Sequence, residues 1–146
     1  MADDHRRVTL ERLETGVYRA TNPAGAQLTF GSLDDTGFSP VELLLAAIGG
    51  CSAVDVDQVT GRRAEPERFE VVVEADKIRD EVGNILRDIT MTYRVTFPEG
   101  EGGDKARDLL PRAARTSHER TCTVSRTVEA GTPITVHVDD DEPPAE

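Results

Sequence analysis

The side chains of this chain best suited to covalent chemistry are its two cysteines, Cys51 and Cys122. A thiolate attacks disulfides and peroxides and binds soft metals. The two lie far apart in the chain, and no Cys-x-x-Cys occurs. Neither a thioredoxin-type redox motif nor a zinc ribbon therefore applies. By its surroundings alone, Cys51 in an apolar segment reads as a small buried hydrophobe. Cys122 follows His118-Glu119-Arg120-Thr121, whose imidazole and guanidinium favour a thiolate. A single cysteine in polar company is nonetheless often incidental. His118 and Cys122 have i, i+4 spacing and with Cys51 make three soft ligands without a fourth, so no metal site is expected. Asp55 falls at i+4 from Cys51. A carboxylate there raises the thiol pKa and opposes catalysis unless it is paired. Asp55 and Asp57 read as polar helix-end residues. His137 belongs to a last strand, packing or facing solvent.

Cys51 sits on a helix whose start is fully signalled. Ser39 can cap it, Pro40 suits the first helical position, and Glu42 stands three residues after the cap. The helix runs through Leu43-Leu44-Leu45-Ala46-Ala47-Ile48-Gly49-Gly50-Cys51 to about Val59. Its first half is apolar all round, so protein must wrap it on every side. In so short a chain that wrapping calls for a second subunit. Gly49-Gly50 costs about 1 kcal/mol per glycine against Ala, and close approach of another backbone is the expected compensation.

Ahead of that helix, Val8–Leu13, Val17–Thr21 and Ala26–Phe30 read as three strands of a meander. Thr15-Gly16 and Asn22-Pro23-Ala24-Gly25 supply the turns. Gly31–Phe38 is a Gly- and Asp-rich loop. After the helix, Phe69–Ala75 reads as a strand and Asp80–Asn84 as a turn. Ile89, Met91, Tyr93, Val95 and Phe97 then alternate with polar residues, a strand with one face on the core. Asp104 can cap a second helix bearing Ala106, Leu109, Leu110, Ala113 and Ala114 on one face, which Pro111 should kink or restart. A short helical or irregular piece after Cys122 leads to a last strand, Ile134–Val138. The fold class is α/β (α+β): antiparallel strands around a long buried central helix.

The 146 residues suit a single domain, 1–146, with an acidic tail from Asp139 to Glu146 that has nothing to bury and is expected to be disordered. Burial of about 68% of the unfolded surface is available to a chain of this size. Aromatic content is only 4%, so the core must rest on Val, Leu, Ile and Ala. The net charge of −11 excludes the clustered basic surface that nucleic acid or an anionic membrane requires. No signal peptide is visible at the N-terminus. The richest apolar run, Val41–Ile48, falls well short of the ~18 residues of a membrane span. A cytoplasmic location is expected, where cysteines are normally reduced.

Two segments add a family resemblance. Ser39-Pro40-Val41-Glu42-Leu43-Leu44-Leu45-Ala46-Ala47-Ile48-Gly49-Gly50-Cys51-Ser52-Ala53-Val54-Asp55-Val56 closely resembles the central helix of the OsmC/Ohr family. Ser117-His118-Glu119-Arg120-Thr121-Cys122-Thr123-Val124-Ser125 resembles its second cysteine segment. The order of strands and helices is similar too, over roughly Val8 to Val138. The resemblance implies an intertwined homodimer that builds each site at the interface, and a cysteine-based peroxidase with Cys51 as peroxidatic and Cys122 as resolving residue. The Cys51 thiolate would attack an organic hydroperoxide, releasing an alcohol and leaving a sulfenic acid. Cys122 would condense with it to a disulfide. A cellular dithiol, dihydrolipoamide or a thioredoxin-like protein, would reset the pair. No cofactor or metal is implied. The role would be defence against oxidative stress.

The peroxidase branch carries a glutamate directly after the helix-starting proline and an arginine from the early strands. Here Val41 follows Pro40. Glu42 comes one place later, about 100° round the helix, and reads as the capping-box partner. Arg12 and Arg19 lie on early strands and read as solvated charges. The Pro-Val-Glu-Leu-Leu-Leu and Gly-Gly-Cys-Ser forms are more similar to the OsmC-like branch. A second reading therefore keeps the fold without the activity, with a small hydrophobic ligand bound at the dimer interface. A third makes the pair a redox sensor.

Overall fold

The computed structural model describes residues 4–31 and 37–139. The tail beyond Asp139 and most of the loop before the central helix lie outside the described residues.

The first three strands are β1 (Thr9–Glu14), β2 (Val17–Thr21) and β3 (Gln27–Gly31), an antiparallel sheet in the order β1-β2-β3. Its turns fall where Gly16 and Gly25 take positive φ, 75° and 90°. Tyr18 pairs with Phe30 across β2 and β3, and their rings stack at 6.2 Å. Every residue of β1 is exposed. Among the described residues the meander makes no substantial packing against the rest of the chain.

The central helix α1 runs Pro40–Thr60. Its capping box forms as expected: Ser39 Oγ accepts from the Glu42 amide at 3.2 Å, and Glu42 accepts from the Ser39 amide at 2.9 Å. By length and composition this 21-residue helix is apolar enough to cross a membrane, which the short unbroken run Val41–Ile48 did not suggest. It is instead the core helix, packing on the second hairpin and on both later helices. Ile48, Ser52, Val56 and Thr60 form its buried stripe. The expectation that its first half is wrapped on every side is not met within one chain, since Val41 and Leu44 stay exposed. The two glycines also differ from expectation. A Cβ on Gly49 would sit 2.7 Å from Val73 Cγ2, so a side chain of the hairpin makes the close approach, while Gly50 faces open space.

The second sheet is the hairpin β4 (Arg68–Arg79) and β5 (Asn84–Thr96), longer at both ends of the turn than the sequence suggested. Asp80 closes that turn by accepting the Val82 and Gly83 amides at 2.8 and 2.9 Å. Met91, Tyr93 and Val95 face inward and Thr92, Arg94 and Thr96 outward, the expected alternation. Helix α2 spans Glu101–Thr116 with Gly100, not Asp104, as its N-cap. Asp104 lies in the first turn and pairs with Arg107 at 2.8 Å. The helix continues through Pro111 without a restart. A π turn (Ser117–Thr121) and helix α3 (Thr123–Ala130) follow. Among the described residues, 132–139 pair with no strand, and Ile134, Val136 and Val138 are 80–89% exposed.

Candidate active site

Cys51 lies one turn beyond Ile48 on the face of α1 that meets the π turn and α3. Cys122 is the residue where the π turn ends and α3 begins. It is the N-cap of α3, with its thiol in the role usually played by a serine or aspartate side chain. Its sulfur accepts the Ser125 amide at 3.4 Å and donates to Ser125 Oγ at 3.2 Å. The next two amides of the helix, Thr123 and Val124, act on Cys51. The first three N–H groups of α3 thus address the two sulfurs. Helix-opening amides are unpaired within the helix and carry partial positive charge, which favours sulfur anions. Both thiols are reduced. Cys122 is fully buried and Cys51 partly exposed.

The thiols also act on each other. The largest influence on Cys51 is the Val124 amide, which lowers its pKa, and Thr123 acts in the same sense. Burial and the hydrogen bond and charge of Cys122 raise it, and the net direction is up. Two adjacent sulfurs cannot both ionise easily. Burial and the neighbouring sulfur thus outweigh the two amides at Cys51.

Around the sulfurs lies a hydroxyl network that the sequence reading passed over. The Asp55 carboxylate accepts from Ser117 Oγ at 2.8 Å and from Thr121 Oγ1 at 2.9 Å. Ser117 Oγ lies 3.2 Å from Ser52 Oγ, which in turn bonds the Tyr93 hydroxyl. Each hydroxyl has one proton. With that of Ser117 given to the carboxylate, Ser52 donates to Ser117 and Tyr93 to Ser52. Burial, helped by the charges of Cys122 and Asp55, pushes the Tyr93 pKa up against the Ser52 bond, which keeps Tyr93 a donor. The hydroxyls answer the objection to a carboxylate beside Cys51, because Asp55 is paired. Nothing in the sequence points Ser117 and Thr121 at Asp55, 62 and 66 residues away.

The other expected participants stand elsewhere. Glu42 is held by the capping box, and the amide and hydroxyl of Ser39 lower its pKa. Arg12 bonds Thr15 at 2.9 Å and Arg19 pairs with Glu11 at 3.0 Å, the first exposed and the second half-buried on the meander. His118 pairs with Glu129 at 3.1 Å instead of approaching a sulfur. That pair stands beside a cavity of about 320 Å³ lined by Ile48, Ile89, Met91, Tyr93 and Val128, among others. Neither cysteine lines it, but Ser125, the partner of Cys122, does.

Comparison with known proteins decides the family. The sequence model described as OsmC-like protein matches residues 33–137, well over half of the chain. The chain belongs to the OsmC family. An uncharacterized protein of Mycobacterium tuberculosis strain H37Rv is 32% identical over 133 residues, covering 90% of this chain and 94% of its own. A hypothetical protein of Aquifex aeolicus, known from its crystal structure, superposes with TM-score 0.69 at 26% identity, covering 88% of this chain and 90% of its own. The organic hydroperoxide resistance protein OhrB of Bacillus subtilis superposes at TM-score 0.53 over 85% of this chain and 90% of its own. At 19% identity that likeness shows a shared OsmC-like fold. The family resemblance read from the two cysteine segments is thereby borne out.

Proposed function

We propose that the protein is a thiol-dependent organic hydroperoxide reductase of the OsmC-like branch, working in the cytoplasm in defence against oxidative stress. The observation that carries this reading is the placement of both sulfurs on the N-terminus of α3, interacting with each other, one partly exposed and one buried. Cys51 is the exposed nucleophile. Its thiolate takes the distal peroxide oxygen, the O–O bond breaks, and the alcohol leaves. Cys122 then displaces hydroxide from the sulfenic acid, forming the disulfide and water. A cellular dithiol such as dihydrolipoamide or a thioredoxin-like protein restores both thiols. In place of the glutamate and arginine of the peroxidase branch, the groups here that favour the Cys51 thiolate are the amides of Val124 and Thr123. With the net pKa of Cys51 raised, turnover is slow in the resting state and improves at mildly alkaline pH.

The working unit is a homodimer. Supporting this are Leu10, Leu13 and Leu28 on the meander, Val41 and Leu44 on α1, and Ile134, Val136 and Val138 in the C-terminal segment, all exposed. Apolar patches and unpaired edges of this extent call for a partner. A second copy that lends a strand to the segment 132–139 meets both needs.

The test is turnover of cumene hydroperoxide with a dithiol reductant. Cys51→Ser is expected to lose about 10³-fold or more, the scale on which removing a nucleophile acts. A Cys51→Ser protein as fast as wild type rules out the reading. One observation favours a second reading, a binding protein for a small hydrophobic ligand: the apolar cavity is not lined by either sulfur. Native mass spectrometry of the purified protein decides it, by a co-purified ligand or an empty cavity.

A further inference from the structure

Asp55 is the carboxylate that the hydroxyls of the thiol site bond, and its partners are unusually placed. Ser117 and Thr121 are the first and last residues of the π turn, and Cys122 follows Thr121 directly. The turn is closed by the Cys122 amide donating to Ser117 O at 2.7 Å. Asp55 thus grips both ends of the segment that delivers Cys122. It stands on α1 one turn beyond Cys51, so the grip spans the two elements that carry the two sulfurs. Turns of the π type are rare, short and concentrated at functional sites. Bonds from hydroxyls to a carboxylate are charge-assisted and among the stronger ones available to hold such a turn. Behind it, Ser117 and Ser52 are 1% and 0% exposed, so the grip is anchored in the core and runs on to Tyr93 on β5.

We propose that Asp55 is a positioning residue for the thiol pair, clamping the turn that carries Cys122 onto the helix that carries Cys51 and so setting how readily the two sulfurs join. This rests on the thiol-pair reading above. The step it governs is the second one. The Cys122 sulfur bonds the Cys51 sulfur, the S–O bond of the sulfenic acid breaks, and hydroxide leaves with the Cys122 proton as water. When Cys122 is out of place, the sulfenic acid instead reduces a second hydroperoxide and becomes a sulfinic acid. The partition of Cys51 between disulfide and sulfinic acid therefore reads the clamp.

Reduced wild type, Asp55→Asn and Thr121→Val are treated with one and then ten equivalents of cumene hydroperoxide, and Cys51 is analysed by peptide mass spectrometry. The expected result is a disulfide-to-sulfinate ratio about tenfold or more below wild type in Asp55→Asn, the size of a weakened charge-assisted hydrogen bond. Thr121→Val falls between them and carries the test if Asp55→Asn fails to fold. The same proteins equilibrated with reduced and oxidised glutathione read the clamp without peroxide. The effective concentration of one thiol at the other is expected to fall by about tenfold in Asp55→Asn. Unchanged partition and unchanged effective concentration overturn the clamp. A wild type whose thiols ignore peroxide, with the glutathione shift intact, overturns the peroxidase reading and leaves the clamp standing.

Discussion

Val56 and Val136 are the same residue type in opposite circumstances. Val56 is on the buried stripe of α1 and fully enclosed; Val136 is in the C-terminal segment and 80% exposed. The contrast extends to their surroundings. Val56 shares its buried stripe with Ser52, a member of the Asp55 network, on a helix packed against the second hairpin and both later helices, and every described buried polar side-chain atom has a partner. Around Val136 the chain belongs to no helix or strand, and its apolar neighbours Ile134 and Val138 are exposed. The contacts of the thiol site thus form within one chain, whereas much of the apolar surface of the shell stays exposed. The proposed second copy would cover this shell, and the Asp55 and sulfur contacts form without it.

The comparison breaks first at the shell. Replacing Ile134 and Val136 by Asp is expected to convert the proposed dimer to monomer at micromolar concentration, raising Kd about a hundredfold or more by charging an apolar contact. Sedimentation equilibrium reads it, and an unchanged dimer would show that the segment 132–139 has no part in the interface. At the core, Val56→Ala is expected to destabilise by about 2 kcal/mol through lost burial and a residual cavity. Val136→Ala under dissociating conditions is expected to change chain stability by less than ~0.5 kcal/mol. Urea unfolding of both separates the two regions. Between the two falls Ser39→Ala, which removes the cap of α1 and costs about 1 kcal/mol.

The remaining predictions concern protons. Cys122 raises the Cys51 pKa, so Cys122→Ser is expected to move the alkylation midpoint of Cys51 to lower pH, read by iodoacetamide rates across pH. A midpoint that stays or moves up would show that Cys122 does not raise the Cys51 pKa. Glu42 has its pKa lowered in the fold. Its contribution is present above the unfolded carboxylate pKa and is lost as pH falls through the lowered folded value. Glu42→Gln should therefore flatten the acid limb of stability, below about pH 4, without changing the alkaline limb.

Much of the frame was legible in the sequence because it is written in local or periodic signals. Ser39, Pro40 and Glu42 announce the start of α1, and the alternation from Met91 to Phe97 announces β5. Three strands of the meander fall between visible turn residues. The errors occur where a signal is shared or a partner is missing. Asp104 is a good cap by type, but Gly100 begins the helix a turn earlier. Pro111 reads as a breaker, yet α2 runs on through it. Ile134–Val138 alternates like a strand and has no neighbour in its own chain. The two cysteines were legible only as family-like segments, since neither spacing nor composition brings them together. The links Asp55–Ser117, Asp55–Thr121 and Ser52–Tyr93 cross between elements distant in sequence, and hydroxyl contacts of that kind leave no periodic trace.

The central claim is that Cys51 and Cys122 work as one unit. Its most direct measurement is a titration of the fully reduced wild-type protein with an organic hydroperoxide, counting free thiols and mapping the product by mass spectrometry. The prediction is that one equivalent consumes both thiols and yields a Cys51–Cys122 peptide linked within a single chain. Two thiols surviving an equivalent of peroxide, or oxidation confined to Cys51 with Cys122 free, would contradict it.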